Sequence, residues 1–139
     1  MRTLLDWPSE PRAAALLRFG VAAAYTAFIT VLILQPSGQP VIGPAAPPGP
    51  PSLRRELLLT LGHVAVFIPL LIVWYAALRT LKSYDDALRT AARFCLLFAV
   101  VSEIAQVAAI NRSVSFFDAA ANCLGIGIGI WIIARMNRR

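Results

Sequence analysis

Four long apolar stretches, at 16–34, 57–78, 90–110 and 116–133, are separated by short polar segments. Each is close to the roughly 20 residues a helix needs to cross a hydrocarbon core about 30 Å thick. The pattern predicts an all-α integral membrane protein, a four-helix transmembrane bundle. Arg18 interrupts the first stretch near its start, where its long stem can snorkel to the headgroups, and Pro11 marks a helix start. Pro69 lies inside the second stretch, where the missing N–H frees the carbonyl of Ala65 and predicts a kink. Trp74 and Tyr75 near its end suit an interfacial aromatic belt, and Trp131 does the same for the fourth.

The connections differ in character. Residues 35–51 contain seven prolines and three glycines, which can neither continue a helix nor build a sheet, so 35–56 is expected to be an extended extramembrane loop. Residues 79–87 read as a short polar turn. Ten Lys and Arg fall on the side of the termini and of that turn, against Arg54, Arg55 and Arg112 on the other. The excess predicts both termini in the cytoplasm, with 1–15 as a cytoplasmic segment and 16–139 as one transmembrane domain. The proline loop and the 111–115 turn then face outward.

Composition agrees with this frame, at 58% hydrophobic and 14% charged residues. The formal charge of +6 does not indicate nucleic acid, because the basic residues edge the apolar stretches instead of forming a stripe on a soluble face. Cys95 and Cys123 lie on oppositely directed spans at depths differing by roughly 10 Å, so no disulfide is expected and both should pack as small apolar residues. Asp6, Pro8, Glu10 and Pro11 precede the first apolar stretch, which is not the pattern of a cleaved signal peptide, so the first helix is expected to be retained.

Ionisable residues within membrane helices each cost about 2.5–3.5 kcal/mol on insertion scales and so point to a partner or a function. His63 lies about two turns from the outer end of the second span, Glu103 a similar depth into the third, and Asp118 and Asn122 in the first two turns of the fourth. The shared depth predicts one polar cluster in the outer half of the bundle. Helical spacing puts Glu103, Gln106 and Ile110 on one face beside Ser102, and Asp118, Asn122, Gly125 and Gly129 on another. His63, Phe67 and Leu70 form the matching stripe of the second span, and Arg112 is placed to pair with Glu103 or Asp118.

Each of these residues also has a structural reading. Gln106 and Asn122 can serve as interhelical hydrogen-bonding glue, Asp118 as the acidic cap of a helix start, and Gly125-x-x-x-Gly129 as a close-packing face. No P-loop, GxGxxG or GxSxG occurs, and with one histidine no metal set is expected. Pro36-Ser37-Gly38 is followed by Gln39 where a membrane lipid phosphatase needs histidine. No cofactor is expected.

Taken together, His63 to Pro69 with its Phe67-Ile68-Pro69 element, then Glu103-Ile104-Ala105-Gln106, then Arg112-Ser113, and finally Asp118, Asn122 and Gly125 resemble the VanZ-like family of bacterial membrane proteins. The resemblance covers the last three spans. Leu71 stands where many members have glycine, and Ser115 replaces a frequent acidic residue, which removes a charge from the outer site. It implies a multi-pass protein of the bacterial cytoplasmic membrane, related to cell-envelope glycopeptide resistance through the family's founding members, and it identifies no reaction.

Three functions follow as expectations. The first is an outer-leaflet site binding a lipid headgroup or lipid-linked envelope precursor. In it Arg112 meets an anionic group, Glu103 and Asp118 orient the ligand, and His63, Gln106 and Asn122 add neutral hydrogen bonds. The second is an accessory subunit of a larger membrane complex, suggested by the small-residue face of the fourth span and the long proline loop. The third is a membrane enzyme using Glu103 or Asp118 with His63, for which no nucleophile or metal completes the constellation.

Overall fold

The computed structural model describes residues 12–34, 53–108 and 116–138, without the side chains of 53–56, 59 and 108. They form four helices, α1 (Arg12–Leu34), α2 (Leu53–Leu78), α3 (Tyr84–Ala108) and α4 (Phe116–Asn137), and no strand occurs among the described residues. Even α4, the shortest at 22 residues, is about 33 Å long at 1.5 Å per residue and so can cross a bilayer core. All four are apolar enough to do so, and the expected four-helix membrane architecture is observed. Residues 35–52 of the proline loop and the 109–115 connection, including Arg112, lie outside the described residues.

Each helix extends past its apolar stretch, because helix ends in the headgroup region tolerate polar residues. α1 starts at Arg12, α2 at Leu53, and α4 continues to Asn137. The largest correction concerns α3, which begins at Tyr84 where a turn was expected to run on to residue 87. Ser83 caps it: the Asp86 N–H donates to Ser83 Oγ at 3.3 Å and Ser83 Oγ donates to Asp86 Oδ2 at 2.8 Å. This cap satisfies one otherwise orphaned backbone donor of the first turn, with the Asp86 carboxylate holding the Ser83 hydroxyl in place, and starts the helix early. α2 continues through Pro69 without a break.

Packing follows the helical periodicity. α2 buries His63, Phe67, Leu70 and Leu71; α3 buries Ala87, Ala91, Cys95 and Ala99 at four-residue spacing, then Ser102, Glu103 and Gln106; α4 buries Asn122, Gly125, Ile126 and Gly129. α2 is central, with its most extensive approach to α4; α1 packs on α2 and α3 and, among the described residues, makes no close backbone approach to α4. Leu97, Ile104 and Leu124 are each more than half exposed, as lipid-facing residues must be. Cys95 is buried as expected, whereas Cys123 is exposed; both are free thiols. Trp74 packs between helices as well, 4.3 Å centroid-to-centroid from Phe94, and its Nε1–H donates to Thr26 Oγ1 at 3.0 Å.

Lipid tails are as apolar as the helices, so close backbone approach rather than hydrophobic burial holds such a bundle. Gly125 and Gly129 supply it. A Cβ at Gly125 would lie 2.8 Å from the Val64 carbonyl oxygen, and one at Gly129 would lie 2.8 Å from Leu71 Cδ2. The small-residue face of α4 is thus used against α2, inside the chain, which removes one motive for an accessory-subunit reading.

Candidate functional site

The close approach at Gly125 places Asn122, one turn earlier on the same face of α4, against His63, the residue before Val64 on α2. His63 Nδ1 and Asn122 Oδ1 are 2.8 Å apart. Asn122 Nδ2 donates to Glu103 Oε1 at 3.1 Å, which brings in α3. His63 Nε2 lies 3.8 Å from Asp118 Oδ2, one turn toward the start of α4. Three helices therefore contribute to one line of groups, Asp118, His63, Asn122 and Glu103, at the end of the bundle where α2 and α4 begin and α3 ends. His63, Glu103 and Asn122 are buried, while the Asp118 side chain is 15% exposed, so the line opens to the surroundings at Asp118.

The donor and acceptor chemistry of the line has a direction. An amide nitrogen only donates and an amide oxygen only accepts, so with Nδ2 committed to Glu103, Oδ1 must receive its hydrogen from His63 Nδ1. That fixes the proton on Nδ1 and turns Nε2 toward the Asp118 carboxylate. At 3.8 Å the two are beyond hydrogen-bonding distance. A neutral imidazole presents a lone pair there, and so does an ionised carboxylate, so together they can accept from a hydroxyl or ammonium hydrogen placed between them. An imidazolium would instead pair with the carboxylate directly. Low local dielectric strengthens either arrangement and penalises any member left unmatched.

Of the six residues expected at the site, four are brought together. Gln106 is buried on the same face of α3 but points elsewhere: its Nε2 donates to the Ile33 carbonyl at 3.3 Å, tying α3 to the last turn of α1. Arg112 lies outside the described residues. Ser102 donates to the Ala99 carbonyl at 2.8 Å, within its own helix. A contact that sequence reasoning missed joins α1 to α2: the Tyr25 hydroxyl donates to the Val66 carbonyl at 3.1 Å. Its signal was a tyrosine and two threonines, Thr26 and Thr30, within an otherwise apolar helix.

No curated protein and no solved structure matches the chain significantly. The VanZ/LLP1 family model matches residues 19–137, which extends the likeness beyond the last three helices to most of α1 and takes in every residue of the cluster. With most of its length matched and four helices able to span a membrane, this chain belongs to the VanZ/LLP1 family of membrane proteins.

Proposed function

We propose that the Asp118–His63–Asn122–Glu103 line is the protein part of a binding site for the polar headgroup of a lipid or lipid-linked envelope precursor. The observation that carries the reading is the opening of a buried hydrogen-bonded line at Asp118, where His63 Nε2 and Asp118 Oδ2 stand 3.8 Å apart. Packing alone needs amides or hydroxyls; two carboxylates and an imidazole at membrane depth are a costlier set, which favours a ligand. In this reading Arg112, three residues past the 109 boundary of the undescribed connection, meets an anionic group of the headgroup, and hydroxyls or amines meet His63 and Asp118.

The charge asymmetry, ten Lys and Arg against three, supports both termini in the cytoplasm of a bacterium, which turns this end of the bundle toward the outer leaflet of the cytoplasmic membrane. A fluorescent protein fused to the C-terminus should then be bright, and a periplasm-dependent phosphatase fused there inactive.

Binding is tested by thermal unfolding of the purified protein with and without total bacterial envelope lipids. The parent should be stabilised, whereas Arg112→Ala and Asp118→Asn should fold and lose part of that stabilisation. Retention of the full lipid effect by both folded variants would sink the assignment.

A further inference from the structure

At the opposite end of the bundle, where α2 turns into α3, the lining of a groove of about 540 Å³ includes Leu81, Lys82, Asp86, Arg89, Thr90 and Arg93. Asp86, Arg89, Thr90 and Arg93 share one face of α3 at three- and four-residue spacing. Lys82 reaches onto that face from the turn, its Nζ donating to Thr90 Oγ1 at 3.1 Å. The one carboxylate in the groove is already engaged, receiving Ser83 Oγ at 2.8 Å and Arg89 Nη2 at 3.0 Å. Three cations and one carboxylate leave two positive charges facing outward.

Beyond Arg93 the same face continues as Leu97, Val100, Ile104 and Val107, which are 64%, 56%, 65% and 62% exposed. From Arg93 to Val107 the stripe runs about 21 Å, more than the half-thickness of about 15 Å occupied by the acyl chains of one leaflet. Charge at one end and bare hydrocarbon along the rest form the complement of an anionic amphiphile. We infer that this face of α3 binds an anionic glycerophospholipid, its phosphodiester held by Lys82 and Arg93 and an acyl chain lying along Leu97 to Val107. A free phosphate would use the charged end and gain nothing from the stripe. Basic residues at a membrane edge also set topology, but that role depends on their number on one side, whereas a binding site depends on their positions.

The test is a titration of the detergent-solubilised full chain with phosphatidylglycerol, read by thermal unfolding. Parallel titrations use phosphatidylcholine and inorganic phosphate. Phosphatidylglycerol should stabilise the parent, with phosphatidylcholine and phosphate much weaker. The exposed double variant Lys82→Gln/Arg93→Gln should bind phosphatidylglycerol about 30-fold more weakly, the equivalent of about 2 kcal/mol for two basic side chains. Arg135→Gln/Arg138→Gln, which removes the same charge from the last turn of α4 and the residue after it, should bind as the parent does. Asp118→Asn should also leave this response intact, which separates it from the headgroup site at the other end. Equal stabilisation by phosphatidylcholine or by phosphate would overturn the inference, as would equal weakening by the two double variants.

Discussion

Substituting Gly125 by alanine probes the contact that sets the cluster's geometry. The new Cβ would sit 2.8 Å from the Val64 carbonyl oxygen and 2.9 Å from Phe67 Cβ, against ordinary contacts of 3.4 Å or more. Neither neighbour can yield by changing rotamer, since one is backbone and the other the first atom of its side chain. The helices must therefore separate by about 0.6 Å at this point. Overpacking of this kind costs about 1–3 kcal/mol. The same movement stretches the 2.8 Å contact between His63 and Asn122, adding about 0.6 kcal/mol, the average for an interhelical hydrogen bond in a membrane. A loss of about 1.6–3.6 kcal/mol is expected, less the up to about 1 kcal/mol that alanine gains in helix propensity. Gly127 is the internal control, because a Cβ there meets nothing within 4 Å. Gly127→Ala should be neutral or stabilising by up to about 1 kcal/mol through helix propensity. Gly129→Ala should fall between the two, because its nearest neighbour is Leu71 Cδ2, the movable end of a side chain. Reversible unfolding of the three variants in one detergent gives the order directly. Equal stability of Gly125→Ala and Gly127→Ala would refute the packing argument.

Two further outcomes follow from the cluster and the thiols. Asn122→Leu leaves buried His63 and Glu103 without their shared partner and should destabilise by about 1–3 kcal/mol, whereas in the His63→Leu background the same change should cost measurably less; strict additivity in this double-mutant cycle would show that the two side chains do not interact. A membrane-permeant maleimide should label exposed Cys123 in the folded protein and buried Cys95 only on unfolding, as mass spectrometry of the peptides would report; rapid labelling of Cys95 in the folded protein would contradict the packing of α3.

The four spans were legible because a bilayer imposes a length and a composition that few other structures share. The polar line was legible for a related reason: His63, Glu103 and Asn122 are costly in hydrocarbon, so equal depth on three helices implies mutual contact, and the contacts at 2.8 Å and 3.1 Å bear that out. Gln106 was legible as interhelical glue but its partner was not, because the Ile33 carbonyl is a backbone group in the last turn of α1, and backbone acceptors leave no trace in side-chain patterns. The start of α3 was placed late because Asp85, Asp86 and Arg89 read as a turn by polarity. The signal for the true start, Ser83 three residues before Asp86, was present and is a local capping pattern rather than a hydropathy pattern. The close-packing face of α4 was legible from the four-residue spacing of Gly125 and Gly129, which leaves Gly127 on another face, but that its partner is α2 of the same chain was not, because a small-residue face does not say which helix lies on it.

His63 is the single histidine of the chain, so isotopic nitrogen labelling of histidine reports on the cluster alone. Nuclear magnetic resonance of the detergent-solubilised protein, recorded while total envelope lipids are added, should show a proton fixed on Nδ1 throughout and a lipid-dependent change at Nε2, the nitrogen that faces Asp118. The Nε2 change should be absent in Asp118→Asn. If neither ring nitrogen responds to lipid, or if the parent and Asp118→Asn respond alike, the line of groups from Asp118 to Glu103 holds the helices together and does not bind a headgroup.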